Sequence, residues 1–255
     1  MVFTSTAKWY ISNIIDDIIP YGINTYFVLL LSWLSFCFIF QCIEATGKID
    51  HLKLQPEEKT SGKIFWQGCK DSAFNWLWMM ILVPLSGSFF KVMFPVNVES
   101  IETLQFLKIM LISMLIFDFW FYVFHRTLHV FPTLYIRFHK PHHIYKATFV
   151  FMSHAQHPVE IFLNAIGTLA GPLIYNHLIY SEPVISLTHI WCWMSMLQLF
   201  GVLDHCGYNL PINPFFIFHL PFLTTIRDHD IHHMTFNKSY GGILNIWDTL
   251  GGTRA

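Results

Sequence analysis

The chain has 255 residues, of which 54% are hydrophobic, 18% aromatic and only 12% charged, with a formal net charge of −1. A soluble domain of this length usually carries about twice that charged share, so an ordinary water-soluble enzyme is excluded. With no basic excess, a nucleic-acid-binding module is excluded too, and a membrane-embedded chain is implied.

In chain order, the N-terminus does not read as a cleaved signal, because Asp16 and Asp17 interrupt it and no basic region precedes a short apolar core. Apolar stretches at 23–43, 74–94, 104–124, 161–180 and 184–203 approach the length of about 20 residues that a helix needs to cross hydrocarbon. Pro84 is expected to kink the second. Gly171-Pro172 weakens the fourth, and Tyr175, Asn176 and His177 make its outer end polar, so the fourth and fifth runs form either two crossings or a re-entrant hairpin. Loops are expected near 95–100, 181–183 and 207–214. The fold class is therefore all-α, an integral-membrane helical bundle. Residues 1–103 supply two spans and a connecting loop, and 104–255 a catalytic domain.

That connecting loop, 44–71, carries Lys48, Lys53, Lys59, Lys63 and Lys70, and the positive-inside rule places it in the cytosol. Two crossings later His125 emerges on the same side, and an even number of further crossings returns the chain there before His205. The cysteines Cys37, Cys42, Cys69, Cys192 and Cys206 form no C-x-x-C pair and are read as reduced, with a cytosol-facing catalytic side.

There are 15 histidines, as many as Lys and Arg together. Three clusters stand out: His125-Arg-Thr-Leu-His129, His139-Lys-Pro-His142-His143 and His229-Asp-Ile-His232-His233. On a helix, residues three and four apart share a face, so imidazoles at these spacings converge on one metal, or on two metals about 3.5–4 Å apart. A lone histidine is more often a core residue with one hydrogen bond; eight in three compact clusters are expected to bind metal. Imidazole suits zinc, copper, iron and nickel, and eight ligands exceed a single four-coordinate zinc centre. Two irons and two zincs both satisfy the spacing, and only iron adds redox chemistry.

These boxes resemble the histidine boxes of the fatty acid hydroxylase superfamily, which includes sterol 4-methyl oxidases, cholesterol 25-hydroxylases and sterol desaturases. Phe138-His139-Lys140-Pro141-His142-His143 is similar to the second box. Asp204-His205-Cys206-Gly207-Tyr208 is similar to the family's His-Ser-Gly-Tyr segment, with Cys206 in place of Ser, and Trp247-Asp248 to Gly252-Thr253 is similar to its ending. The likeness spans 117–254. It implies an endoplasmic-reticulum membrane enzyme whose cytosolic, histidine-rich cap holds two iron ions and uses O₂ on a lipid, with a sterol as the favoured substrate. A fatty acyl or sphingolipid substrate, and desaturation in place of hydroxylation, are the alternatives. It further implies electrons from cytochrome b5 or a similar carrier with its NAD(P)H-dependent reductase. No haem-binding His-Pro-Gly-Gly segment and no G-x-G-x-x-G fingerprint occurs in the chain, so that carrier is expected to be a separate protein.

The resemblance adds His205 to the ligand set, making it His125, His129, His139, His142, His143, His205, His229, His232 and His233. His157, within a His157-Pro158-x-Glu160 run similar to that of sterol 4-methyl oxidases, is open between ligand and support; His154 and His219 rank behind it. Asp118, two helical turns before His125, is expected to orient an imidazole or to pair with Arg126, and Asp228 and Asp230 are similar candidates. The aromatics Phe117, Phe119, Trp120, Phe121, Tyr122 and Phe124 line a lipid channel or face the membrane. A metal transporter would want ionisable residues inside several spans, and a zinc hydrolase a His-Glu-x-x-His motif. The clusters here flank the apolar runs and contain no Glu.

Overall fold

The apolar runs become helices, in which the chain satisfies its own backbone groups before it meets lipid. The computed structural model describes residues 16–58, 60–96, 102–180, 183–211 and 220–255. The N-terminal stretch 1–15, Lys59, His219 and parts of the three expected loops lie outside them.

A π-turn, Ile18–Ile23, leads into α1 (Asn24–Ala45). Helix α2 (Gly62–Leu85) starts at Ser61, whose hydroxyl accepts the Ile64 N–H, and is followed by the short α3 (Gly87–Met93). Next come α4 (Thr103–Val130) and α5 (Pro158–Ile174), which runs on through a π-turn at Tyr175–Ile179. Capping boxes at Ser186 and Thr225 open α6 (Leu187–Asp204) and α7 (Ile226–Thr235), and α8 (Ile246–Gly251) follows. Among the described residues there is no strand, only two isolated bridges, Lys53 to Tyr208 and Leu223 to Leu244.

Among the described residues, three helices are long and apolar enough to cross a membrane: Ile18–Ala45, Thr103–Val130 and Pro158–Ile179. The expected second span is present but broken, α2 and α3 meeting at 57° just after Pro84. Proline has no N–H for the helical ladder and crowds the preceding turn, and the N-terminal turn clasps the break. A Cβ on Gly22 would lie 2.2 Å from the Pro84 carbonyl oxygen. The expected fifth run, α6, is less apolar than those three helices and returns from the far end of α5 to the histidines. Helix α6 carries His189, Gln198 and Asp204 within its 18 residues and packs along α1. Outward side chains such as Phe38 (67% exposed) and Leu104 (64%) give the spans the apolar surface that lipid requires.

Helices α4 and α5 form the most extensive pairing. The run Gly167-Thr-Leu-Ala-Gly171 lets the backbones approach: a Cβ on Gly171 would sit 2.5 Å from Ser113 Cα. The lysine-rich loop folds back onto the histidine end of the bundle. Leu54 N–H donates to Gly207 O (3.0 Å), Asn209 N–H to Leu52 O (2.8 Å), and Gln55 Nε2 to Asp230 Oδ1 (2.8 Å).

Asp118 meets neither an imidazole nor Arg126. Buried in α4, it accepts the Ile243 N–H (2.6 Å), the Leu244 N–H (3.1 Å) and the Trp247 indole N–H (2.8 Å). It thereby fastens the segment after α7 to the bundle. Asp248 does the same from within that segment, accepting the Tyr240 and Gly241 N–H groups at 2.9 and 2.7 Å.

Gly171→Val would overpack the α4–α5 contact, at a typical cost of about 1–3 kcal/mol. The expected outcome is a clearly lowered unfolding midpoint in detergent; a variant as stable as the parent would contradict this packing.

Candidate metal centre

Four stretches of chain deliver the imidazoles. The last turns of α4 present His125 and His129 on one face, and Pro132 opens the turn that follows Phe131. A π-turn at Tyr135–His139 and a 3-10 turn at His142–Ile144 carry the second box. Helix α7 carries the third box, and His205 sits where α6 ends.

The nine predicted ligands fall into two groups: His125, His129, His139, His143 and His232, and then His142, His205, His229 and His233. Within each group the candidate ligand atoms lie within 4.8 Å of one another. In the first, His139 Nε2 is 3.0 Å from His125 Nε2 and 2.9 Å from His143 Nε2. In the second, His205 Nε2 is 3.2 Å from His142 Nε2 and 3.0 Å from His229 Nε2.

The outward nitrogens decide which tautomer the rings adopt. Nδ1–H donates from His125 to Tyr240 O (2.9 Å), from His142 to Ala155 O (3.2 Å), from His205 to Gly201 O (2.7 Å) and from His232 to Lys238 O (2.8 Å). His139 Nδ1–H donates to Glu160 Oε1 at 2.6 Å. A carbonyl oxygen can only accept, so the proton is on Nδ1 and a neutral ring has a bare Nε2. In pairs such as His142 and His205, two lone pairs then face each other at 3.2 Å, an arrangement that a shared cation relieves. His233 is fully buried with neither ring nitrogen partnered, and His143 Nδ1 also lacks a partner. The residues fit metal ions: all-imidazole donor sets, lone pairs inward, second nitrogens fixed by the fold.

Burial, reinforced by neighbouring imidazoles, holds His142, His143, His229 and His233 well below the ordinary imidazole value. The same causes act on His232, and burial lowers His205 to about 4. Phe236, at φ 64°, closes α7 in the left-handed region, meets the His143 ring edge-to-face at 5.0 Å and donates its N–H to His232 O at 2.9 Å.

Glu160 was missed in favour of its neighbour His157. The two trade roles in the structure. His157 caps α5, its Nδ1 accepting the Val159 N–H, while Pro158 starts the helix and Glu160 reaches His139. The His-Pro-x-Glu run was the available signal. His154 is not brought to either group; its Nε2 pairs with Gln198 Oε1 at 2.6 Å. Asp228 completes the Thr225 capping box and Asp230 accepts from Gln55, so neither orients an imidazole. His189 belongs to the Ser186 cap, and His177 donates to Met93 O.

A cavity of about 760 Å³ opens onto the imidazoles, with His125, His139, His142, His205 and His229 in its lining. Phe117, Phe121 and Phe124 form part of its apolar wall. Phe119 lies 52% exposed on the outside, and Trp120 is spent on Leu163 O, so the aromatic run divides between channel and exterior.

The fatty acid hydroxylase family profile matches residues 110–253, more than half of the chain. Methylsterol monooxygenase 1 of Rattus norvegicus is 30% identical over 220 residues, covering 85% of this chain and 70% of that protein. Methylsterol monooxygenase 1 of Danio rerio is 28% identical, with 88% and 74% covered. Cholesterol 25-hydroxylase-like protein of Danio rerio is 27% identical, with 90% and 91% covered. No solved structure matches significantly.

Two consequences can be measured. His233→Ala removes a ligand from the second group alone, so metal content should fall from about two equivalents towards one; undiminished loading would contradict the partition. The lowered rings bind fewer protons folded than unfolded once the pH falls below about 6.5. Metal-stripped protein should therefore lose stability steadily from pH 7 to pH 5. A level unfolding midpoint over that window would mean that the rings are not held neutral.

Proposed function

The chain belongs to the fatty acid hydroxylase family, and on that footing we propose that it is a membrane-bound di-iron oxygenase that hydroxylates a C–H bond of a sterol. The observation that carries the proposal is the meeting of two imidazole groups with one large apolar cavity. The relatives named for methylsterol and cholesterol oxidation favour a sterol over a fatty acyl chain or sphingolipid.

His125, His129, His139, His143 and His232 hold one iron, and His142, His205, His229 and His233 the other. Iron, when bound and supplied with electrons and O₂, provides an oxidant strong enough for an unactivated C–H bond. The protein's own contribution is geometry and exclusion of water. Backbone carbonyls of Tyr240, Ala155, Gly201 and Lys238 keep each Nδ1 protonated, so that the ligand nitrogens stay bare. Phe117, Phe121 and Phe124 give a hydrocarbon skeleton an apolar wall beside the centre.

The lysine-rich loop lies at the histidine end, and lysines favour the cytosolic side. We therefore place the cap in the cytosol, on a multi-pass protein of the endoplasmic reticulum. Cytochrome b5 or a similar carrier, reduced by an NAD(P)H-dependent reductase, reaches it there. Residues 104–255 form the catalytic unit, and α1 closes it by packing on α6.

His232 is fully buried at the join between α7 and the first group. His232→Ala should abolish turnover, at least about a hundredfold, because removing a metal's ligand misplaces the reacting centre. Lipid profiles of cells with and without the active protein should differ in a sterol precursor. Full activity in protein loaded only with zinc, or in the variant, would overturn the proposal.

A further inference from the structure

The metal end of the cavity holds acceptor atoms that nothing in the fold satisfies. Glu160 is only 3% exposed; one carboxylate oxygen takes the His139 proton, and the other, Oε2, is buried without a hydrogen-bond partner. One turn along α5, Asn164 lines the same cavity, and its Oδ1 is likewise buried and unpartnered. Residues four apart share a helix face, so both side chains line the cavity from the same side of α5. The neighbouring polar pair, His154 and Gln198, is already joined at 2.6 Å and is not free in this way. Buried acceptors are seldom left without a donor, and a carboxylate oxygen least of all.

We propose that Glu160, with Asn164 beside it, receives the hydroxyl group of the lipid substrate. This rests on the chain being a lipid oxygenase, and it narrows the substrate class. Both free atoms are acceptors, so the matching group is a donor: a free hydroxyl, and not a ketone, an ester or an ether. An apolar skeleton fills the rest of the cavity, as a 3-hydroxysterol would. A single imidazole, that of His139, separates Glu160 from the point where the Nε2 atoms of His125, His139 and His143 meet. The carbon that is oxidised therefore lies a few bonds from the hydroxyl-bearing carbon, at the polar end of the lipid and not on its hydrocarbon tail.

The test uses the full metal-loaded chain in lipid nanodiscs. Binding of cholesterol and of cholesterol 3-methyl ether is read by the change in tryptophan emission, Trp78 being in the cavity wall. The alcohol should bind about 10- to 100-fold more tightly, the usual penalty for leaving a buried acceptor unpaired. In Glu160→Gln the side-chain oxygen stays on the His139 N–H and the amide NH₂ turns to the cavity. That exchanges an acceptor for a donor, so the preference should collapse and the 3-ketone should gain. Iron content is measured alongside, because a Gln that keeps His139 in place keeps the metal. Equal binding of alcohol and ether by the parent protein overturns the proposal without any variant, as does an unchanged preference in Glu160→Gln or an oxidised carbon on the sterol side chain. Should no sterol bind at all, it is the sterol assignment that fails, and the same comparison with a long-chain alcohol and its methyl ether decides the role of Glu160.

Discussion

The constraint on which the structure turns is that bare imidazole nitrogens from four separate stretches must face one another at about 3 Å, inside a protein, without a proton between them. Such a cluster repels itself unless two conditions hold. The proton of each ring must be committed elsewhere, and the rings must not be free to turn. For His125, His142, His205 and His232, main-chain carbonyls meet both conditions at once, because they accept but never donate. The architecture around the cluster can be understood as the placing of those carbonyls.

Two of them, on Lys238 and Tyr240, come from the irregular segment after α7, which has no helix of its own to stiffen it. Its rigidity is borrowed from buried carboxylates. Asp248 gathers the N–H groups of Tyr240 and Gly241, and Asp118 those of Ile243 and Leu244. Backbone N–H groups in a buried loop need partners, and here two carboxylate acceptors both satisfy that need and steady the carbonyls that aim two histidines. Glu160 plays the corresponding part for His139 from the opposite side, on the first turn of α5.

Much of the site was legible because each box is local: side chains three or four apart on a turn of chain converge whatever the rest of the fold does. The division into two groups was not legible, since every box except the first contributes to both. His142 and His143 are adjacent and join different groups; on α7, His229 and His233 join one group and His232 the other. Asp118 shows the other limit. Its helix face was correctly inferred from its distance to His125, yet its partners lie more than a hundred residues away, beyond the reach of periodicity. For α6 the sequence left a crossing and a re-entrant hairpin both open, and its apolar run is interrupted by polar side chains such as Gln198, which turns inward to His154. Pro84, whose effect is local, was anticipated and stands at the break.

The fastening of the segment after α7 carries a lesson for biosynthesis. A ribosome delivers all nine histidines by residue 233, but the carbonyls that aim His232 and His125 arrive at 238 and 240, and the carboxylate that steadies the latter only at 248. The spanning helices all precede the third histidine box and can enter the bilayer as they emerge, whereas the groups that aim the rings follow it in the chain. Until residue 248 has emerged the rings remain free to swing, so insertion and the setting of the imidazole cluster are separate events.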